Sequence, residues 1–279
     1  MGELLSNEPY IRVAAFAIVL VAMMLWEVWM PRRPQSIGRP VRWPGNIGIV
    51  IVDTLLVRLM FPITVIALAV AAEARGWGLL NVYKLPGWAA IVLGFLLLDF
   101  AIYLQHVLFH AVPALWRVHR MHHADLEFDV TTGIRFHPIE ILLSMPIKMG
   151  VVAAAGTPTV AVLMFELLLN ATTMFNHGNV ELPRYIDRAL RWIVVTPEMH
   201  RVHHSIKACE ANSNFGFNLP WWDRLFGTYR DQPEAGHIGM TIGIDHFRDA
   251  VELRLDRLLT QPFRDDARTY PFGQREGTQ

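Results

Sequence analysis

The sequence predicts an all-α integral membrane protein with about four to five transmembrane helices, the last two forming a hairpin, and a cytoplasmic helical cap. Three observations predict it. Of 279 residues, 53% are hydrophobic and only 18% are charged, so the composition is unlike that of an ordinary soluble domain. The apolar residues are gathered into runs of membrane-spanning length. After His177 the chain turns polar, with 13 Lys/Arg and 14 Asp/Glu in 103 residues. Basic and acidic side chains balance at 25 each, which argues against a nucleic-acid partner. The single cysteine, Cys209, excludes a disulfide framework and cysteine-rich metal sites.

The first span is read at Ile11–Met30. It lacks a basic start and a small-residue cleavage site, so it is expected to stay as a span and not to be a cleavable leader. Ile47–Ala72 is the second run and carries Asp53 and Arg58. Leu85–Tyr103 is the third, with Asp99 near its end. Ile139–Ala155 and Thr159–Phe175 are marginal singly and read as a hairpin turning at Gly156-Thr157-Pro158. Within it, Lys148 and Glu166 each lie nine residues from Thr157, at one depth. An ion pair is expected there, the alternatives being that each snorkels or that Glu166 faces a cavity. The loop Pro31–Asn46 holds four arginines, against one Arg and one Lys in Glu73–Lys84. The positive-inside rule therefore places the N-terminus outside, and the third span's end and the C-terminal part in the cytoplasm.

This organisation divides the chain into membrane spans (1–98), a histidine-box domain (99–235) containing the membrane hairpin (139–175) and the cap, and a C-terminal amphipathic helix and tail (236–279). The stretch His246–Thr260 places Phe247, Val251, Leu255, Leu258 and Leu259 at helical spacing, as a helix packed on the cap or lying on the membrane. Trp221-Trp222 is a candidate interface anchor.

Ten of the twelve histidines lie between His106 and His204. His106-x-x-x-His110 comes first, then His119-x-x-His122-His123, and His200-x-x-His203-His204 closes the set. On a helix, an H-x-x-H-H box points three imidazoles into an arc of roughly 100°. One such box is expected by chance on the order of 0.02 times per chain. Eight imidazoles exceed what one metal takes, and suit two metals in a helical cage. His177 ends the fifth span on the same side and reads as a ninth ligand. His137, in Phe136-His137-Pro138, is either a ligand or a loop closure beside the site. His237 and His246 read as ordinary hydrogen-bonded residues. Asp99 lies two turns before His106 and is expected to orient a ligand histidine, the alternative being a solvated carboxylate near the interface.

Other chemistries fail on their residues. Val107 stands where an H-E-x-x-H protease needs its glutamate, the one E-x-x-H (Glu234-x-x-His237) lacks the second copy that soluble di-iron bundles use, and there is no phosphate loop or G-x-S-x-G. A His-rich transporter is a rival, but its ionisable groups would sit near mid-membrane with repeats, not at one side.

From Asp99 to about Tyr229 the chain resembles the fatty acid hydroxylase/sterol desaturase superfamily. The residues that carry the resemblance are Asp99-x-x-x-Tyr103-x-x-His106, Leu115-Trp116-x-x-His119-x-x-His122-His123, Phe136-His137-Pro138, His177-Gly178-Asn179, His200-x-x-His203-His204 and Trp222-Asp223-x-Leu225-Phe226-Gly227-Thr228. Many members have Arg directly after the first box histidine, where this chain has Val107. The resemblance implies two iron ions, O2 and two external electrons, used to hydroxylate or desaturate a C–H bond of a fatty acyl, sterol-like or ether lipid. It implies His106, His110, His119, His122, His123, His177, His200, His203 and His204 as ligands, with His137, Asp99 and Asn176 as ligands or supporting residues. No His-Pro-Gly-Gly haem signature is present, so a separate electron-donor protein is expected. A carotenoid hydroxylase or ketolase is the rival within enzymes. Zinc, which nitrogen sites prefer over Fe(II), is expected to substitute in purified protein.

Overall fold

The computed structural model describes residues 7–264 and is helical throughout. Among the described residues the only β pairing is two isolated bridges, Pro31 with Val180 and Ser205 with Ile242. The long helices are α1 (Glu8–Trp29), α2 (Arg39–Met60), α3 (Val65–Arg75), α5 (Gly87–Ala111), α7 (Pro138–Ala155) and α8 (Thr159–Asn176). Shorter ones are α4 (Leu79–Val82), α6 (Pro113–His123), α9 (Arg184–Leu190) and α10 (Pro197–His203). Among the described residues five stretches are long and apolar enough to cross a membrane, beginning at Glu8, Arg39, Gly87, Pro138 and Thr159. The protein is an all-α integral membrane protein.

The second stretch is broken, not continuous. Pro62 has no backbone N–H to give, and it disfavours helix in Phe61. The chain restarts at Thr64, whose hydroxyl accepts from Ala67 N–H at 3.1 Å and caps α3. The hairpin turns as its sequence reads. Gly156 ends α7 in the left-handed conformation, φ +69°. A side chain there would also meet the Trp77 carbonyl at 2.2 Å, so the glycine serves both the turn and the close approach of the 76–81 loop.

Leu98 and Ile102 of α5, Met145 and Val152 of α7, and Val162 and Phe165 of α8 form the main core, with Val65 and Ile66 of α3 packed on them. The outward faces stay apolar, as at Ile18 and Val21 of α1, Ile51 and Leu55 of α2, and Leu93 and Leu97 of α5. Burial in water cannot account for such faces; contact with lipid does.

Lys148 and Glu166 meet across the hairpin at 3.7 Å, and Arg12 of α1 reaches the same carboxylate at 2.6 Å. The expected pair is thus a cluster with two cations. The expected single helix over His246–Thr260 is not formed. It is a 3-10 turn (Ala250–Leu253) and a six-residue helix (Leu255–Thr260), separated by Arg254 in an extended conformation, ψ 145°. Leu253 and Leu258 are buried, with Leu258 packed on Ile49 of α2 and Met121 of α6, while Val251 is exposed. The segment packs on the helical body by short pieces rather than by one amphipathic face. The tail from 265 lies outside the described residues.

Candidate metal centre

The structure draws nine histidines from four places in the chain to one end of the bundle. His106 and His110 come from the last turns of α5, and His119, His122 and His123 from α6, which follows after a single residue. Val112 is extended and Pro113 starts the new helix, so α6 folds back and its box faces the end of α5. His177 follows α8, and His200, His203 and His204 lie on or just after α10. All nine are buried.

They divide into two groups: His106, His110, His119, His123 and His203, and His122, His177, His200 and His204. Within each group one ligand atom per residue lies within 4.8 Å of all the others. The two H-x-x-H-H boxes are therefore shared between groups, while His106 and His110 both enter the first. His122 and His123 are sequence neighbours on adjacent helical positions, so they point into different groups.

Hydrogen bonding fixes the tautomers. Nδ1–H of His106 donates to the Phe215 carbonyl (2.7 Å), of His119 to Glu140 Oε1 (2.9 Å), of His122 to the Arg135 carbonyl (3.0 Å), and of His203 to the Ser213 carbonyl (2.8 Å). His177 Nδ1–H donates to Thr173 O (2.8 Å) and Asn176 Oδ1 (2.6 Å). A carbonyl or carboxylate only accepts, so each proton sits on Nδ1 and each Nε2 carries a bare lone pair. Yet His106 Nε2 faces His119 Nε2 at 3.1 Å, and His122 Nε2 faces His177 Nε2 at 3.2 Å. Facing lone pairs repel unless a cation lies between them. Two nitrogens bound to one ion at about 2.1 Å are roughly 3.0–3.4 Å apart, which is the spacing found. His177 Nε2 also meets Nε2 of His200 (3.2 Å) and His204 (3.1 Å), and one nitrogen cannot hydrogen-bond three imidazoles. The donor set fits two metal ions, one in each group.

Burial keeps these rings neutral, the form that binds metal. It pushes His177 down to about 3, and holds His119, His122, His123, His200, His203 and His204 well below the ordinary histidine value, aided by neighbouring imidazoles.

The supporting residues explain why the carbonyls stand where they do. Arg42 of α2 makes a bidentate pair with Asp125 (2.8 Å to each oxygen) and reaches Asp129 (2.5 Å), all fully buried. Arg135 sits against Asp125 and donates to Met121 O at 3.0 Å, which fixes the backbone that orients His122. Burial alone would raise Asp125; the Arg42 and Arg135 guanidiniums outweigh it and hold it well below the usual carboxylate range. Asp223 accepts from the N–H groups of Phe215 and Gly216 (2.8 and 2.9 Å) and so places the carbonyl that orients His106. At Gly133 the chain passes so close to Thr173 and His177 that any side chain would lie 2.6 Å from Thr173 O.

Four expectations of the sequence are decided by contacts. His137 lies in neither histidine group. Its Nδ1 accepts from Ile139 N–H and caps α7, and its Nε2–H donates to Leu259 O. Asp99 does not orient a histidine. Its two oxygens accept from Asn218 Nδ2 (2.9 Å) and Trp222 Nε1 (2.8 Å), because side chains of the 215–222 loop come between it and the cage. It positions the loop that carries the Phe215 carbonyl, one step removed from His106. Asn176 bridges His177 to the Phe217 carbonyl, a supporting role. His237 pairs with Glu198 and His246 with Asp245, outside the cage. Sequence reasoning missed Glu140, the carboxylate under His119. Its signal was its place three residues after His137, in the first turn of a helix opened by Pro138.

Comparisons with known proteins agree with this geometry. The fatty acid hydroxylase family matches residues 91–228, which span both groups of histidines. An ornithine lipid hydroxylase of Rhizobium tropici is 33% identical over 153 residues, 54% of this chain and 45% of that protein. Alkylglycerol monooxygenases of Xenopus tropicalis and Homo sapiens are 29% and 26% identical, over 56% and 61% of this chain and 34% and 38% of theirs. The matched part thus covers less than half the length of these curated relatives. No solved structure matches.

Proposed function

The chain belongs to the fatty acid hydroxylase superfamily, and from that premise we propose that it is a membrane-bound, non-haem di-iron oxidase that hydroxylates or desaturates a C–H bond of a lipid. The observation that carries this reading is the convergence of bare Nε2 lone pairs in two groups. His106, His110, His119, His123 and His203 would hold one iron, and His122, His177, His200 and His204 the other. When bound, iron supplies with O2 and two external electrons the oxidising power that an unactivated C–H bond demands and that no side chain has.

The protein's own share is positioning and exclusion. Nδ1 acceptors hold five rings in register, with Glu140 raising the basicity of His119. The cap segment 213–229 covers the cage from one side, and Phe215, Phe217 and Phe136 pack against its rings, keeping bulk water away. A cavity of about 630 Å³ reaches His106 from between the helices, so substrate comes from the bilayer. Asp99 and Asp223 keep the cap loop closed over His106. The arginine-rich 31–46 loop supports a cytoplasmic cage, an external N-terminus and electrons from a separate cytosolic donor.

Expression of the chain in a host lacking it, followed by lipid mass spectrometry under isotopically labelled O2, tests the reading. Hydroxylation adds one labelled oxygen to a lipid; desaturation removes two hydrogens and adds none. Neither change in any lipid class, from protein with a full metal complement, would overturn it.

A further inference from the structure

The cavity that reaches His106 has walls of two kinds. Val50 and Val57 of α2, Ile102 of α5, and Ile141 and Met145 of α7 make it apolar. Among them stand acceptors that no described residue satisfies. Asp53 lines the cavity, is only 9% exposed, and receives no hydrogen bond from any described residue. Gln105 lines it too; its amide N–H is spent on Ser144 Oγ (2.5 Å), which leaves Oε1 without a donor. Glu140, toward the cage, gives one oxygen to His119 and keeps Oε2 unpartnered.

The cavity's cations do not serve these acceptors. Arg12 and Lys148 line its far end but are taken up by Glu166, and Arg58, which also lines it, forms no ion pair with Asp53 or Glu140. On α7 the cavity-facing residues Glu140, Ser144 and Lys148 follow at four-residue steps, so the cage end and the cationic end are about 12 Å apart along the helix axis. A carboxylate without a partner in so apolar a place is costly. Its complement is a donor that arrives with the ligand.

We infer that Asp53 is a specificity residue that selects lipids bearing an O–H or N–H donor on the chain lying in the cavity, against lipids of equal length that bear none. The inference rests on the lipid-oxidising reading and names the chemistry of its substrate. α1 packs on α8 and α2 on α7, and the cavity lies between Arg12 and Phe16 on one side and Val50 and Asp53 on the other. A chain entering between α1 and α2 passes Asp53 while its hydrocarbon runs toward His106. The carboxylate thereby fixes how far the chain slides, and so which carbon lies beside the cage.

The test uses metal-loaded, full-length protein in nanodiscs and three isotope-labelled probes of one chain length: hexadecanol, hexadecylamine and hexadecyl methyl ether. Equilibrium binding of the ether is expected to be about 10- to 100-fold weaker than that of the alcohol or the amine, the cost of leaving one buried acceptor unsatisfied. Asp53→Asn should keep the alcohol and lose any preference for the amine. Asp53→Val should bring all three probes together, with metal content unchanged because Asp53 touches no histidine. Equal binding of the three probes to the wild type, or undiminished discrimination in Asp53→Val, would overturn the assignment. Should Asp53→Val fail to fold, the wild-type order and Asp53→Asn decide. Turnover is read separately: no oxidation of any probe counts against the oxidase reading, while the binding order still judges Asp53.

Discussion

In the cage, five of nine imidazoles have Nδ1 fixed by an acceptor, and every Nε2 of those five faces inward. In the cavity beside it, Asp53 and Gln105 keep oxygens that no described residue satisfies. One region ties most of its rings to protein acceptors; the other leaves its acceptors open. The difference separates holding from selecting. A metal site must not move when its ion is oxidised, so its rings are tied to carbonyls that are themselves tied to buried ion pairs. A substrate channel must exchange its contents, so its polar groups wait for the ligand.

Breaking the cage directly should give the largest effect. His122→Ala, His177→Ala and His203→Ala each remove an inward nitrogen, and turnover should be lost in all three. Bound metal should fall furthest in His177→Ala, because His177 Nε2 touches three other ligand nitrogens. Full metal and wild-type turnover in all three would sink the site. Breaking the bracing should come next. Arg42→Met takes the bidentate partner from Asp125 and the guanidinium from Asp129 in a fully buried place, at a cost of about 3–5 kcal/mol, measured by thermal unfolding in detergent. A change below about 1 kcal/mol would mean that the pair does not brace the cage.

Asp99→Asn should act more gently, since it loosens the cap loop rather than a ligand. It should lower turnover about 10-fold with metal retained, whereas loss of metal would return Asp99 to direct support of a histidine. The smallest effect is expected far from the cage. Lys148→Met leaves Arg12 on Glu166, so destabilisation should stay below about 1 kcal/mol. Adding Glu166→Leu should make matters worse, not better, because Arg12 then keeps only Glu8. Rescue by the double change would restore the simple two-residue pair.

The cage was legible because its chemistry is local. Three or four residues fix an angle on a helix, so the boxes announced themselves, and the polar start after His177 put that residue on their side. The hairpin was legible for the same reason, through Gly156 and Pro158. What the sequence hid is set by contacts between distant segments. Asp99 and His106 share a face of α5, but the loop from 119 residues further on supplies Asp99's partner. His137 has the residue type of a ligand and the position of a helix cap, and only the packing of Leu259 against it decides. Asp53 and Arg58 stand in the second run with no role that local spacing reveals; the cavity beside α2 gives them a setting. The amphipathic spacing over His246–Thr260 was real, but Arg254 turns the chain before one face can form.

The central claim is that two groups of neutral imidazoles hold two ions. It is tested most directly by stripping the full-length protein of metal, reloading it anaerobically with Fe(II), and counting iron per chain by elemental analysis alongside X-ray absorption. The account predicts two irons per chain, each surrounded by imidazole nitrogen, and a fall in iron content in His177→Ala. One iron or none in the well-folded protein, or two that persist unchanged in His177→Ala, would contradict it.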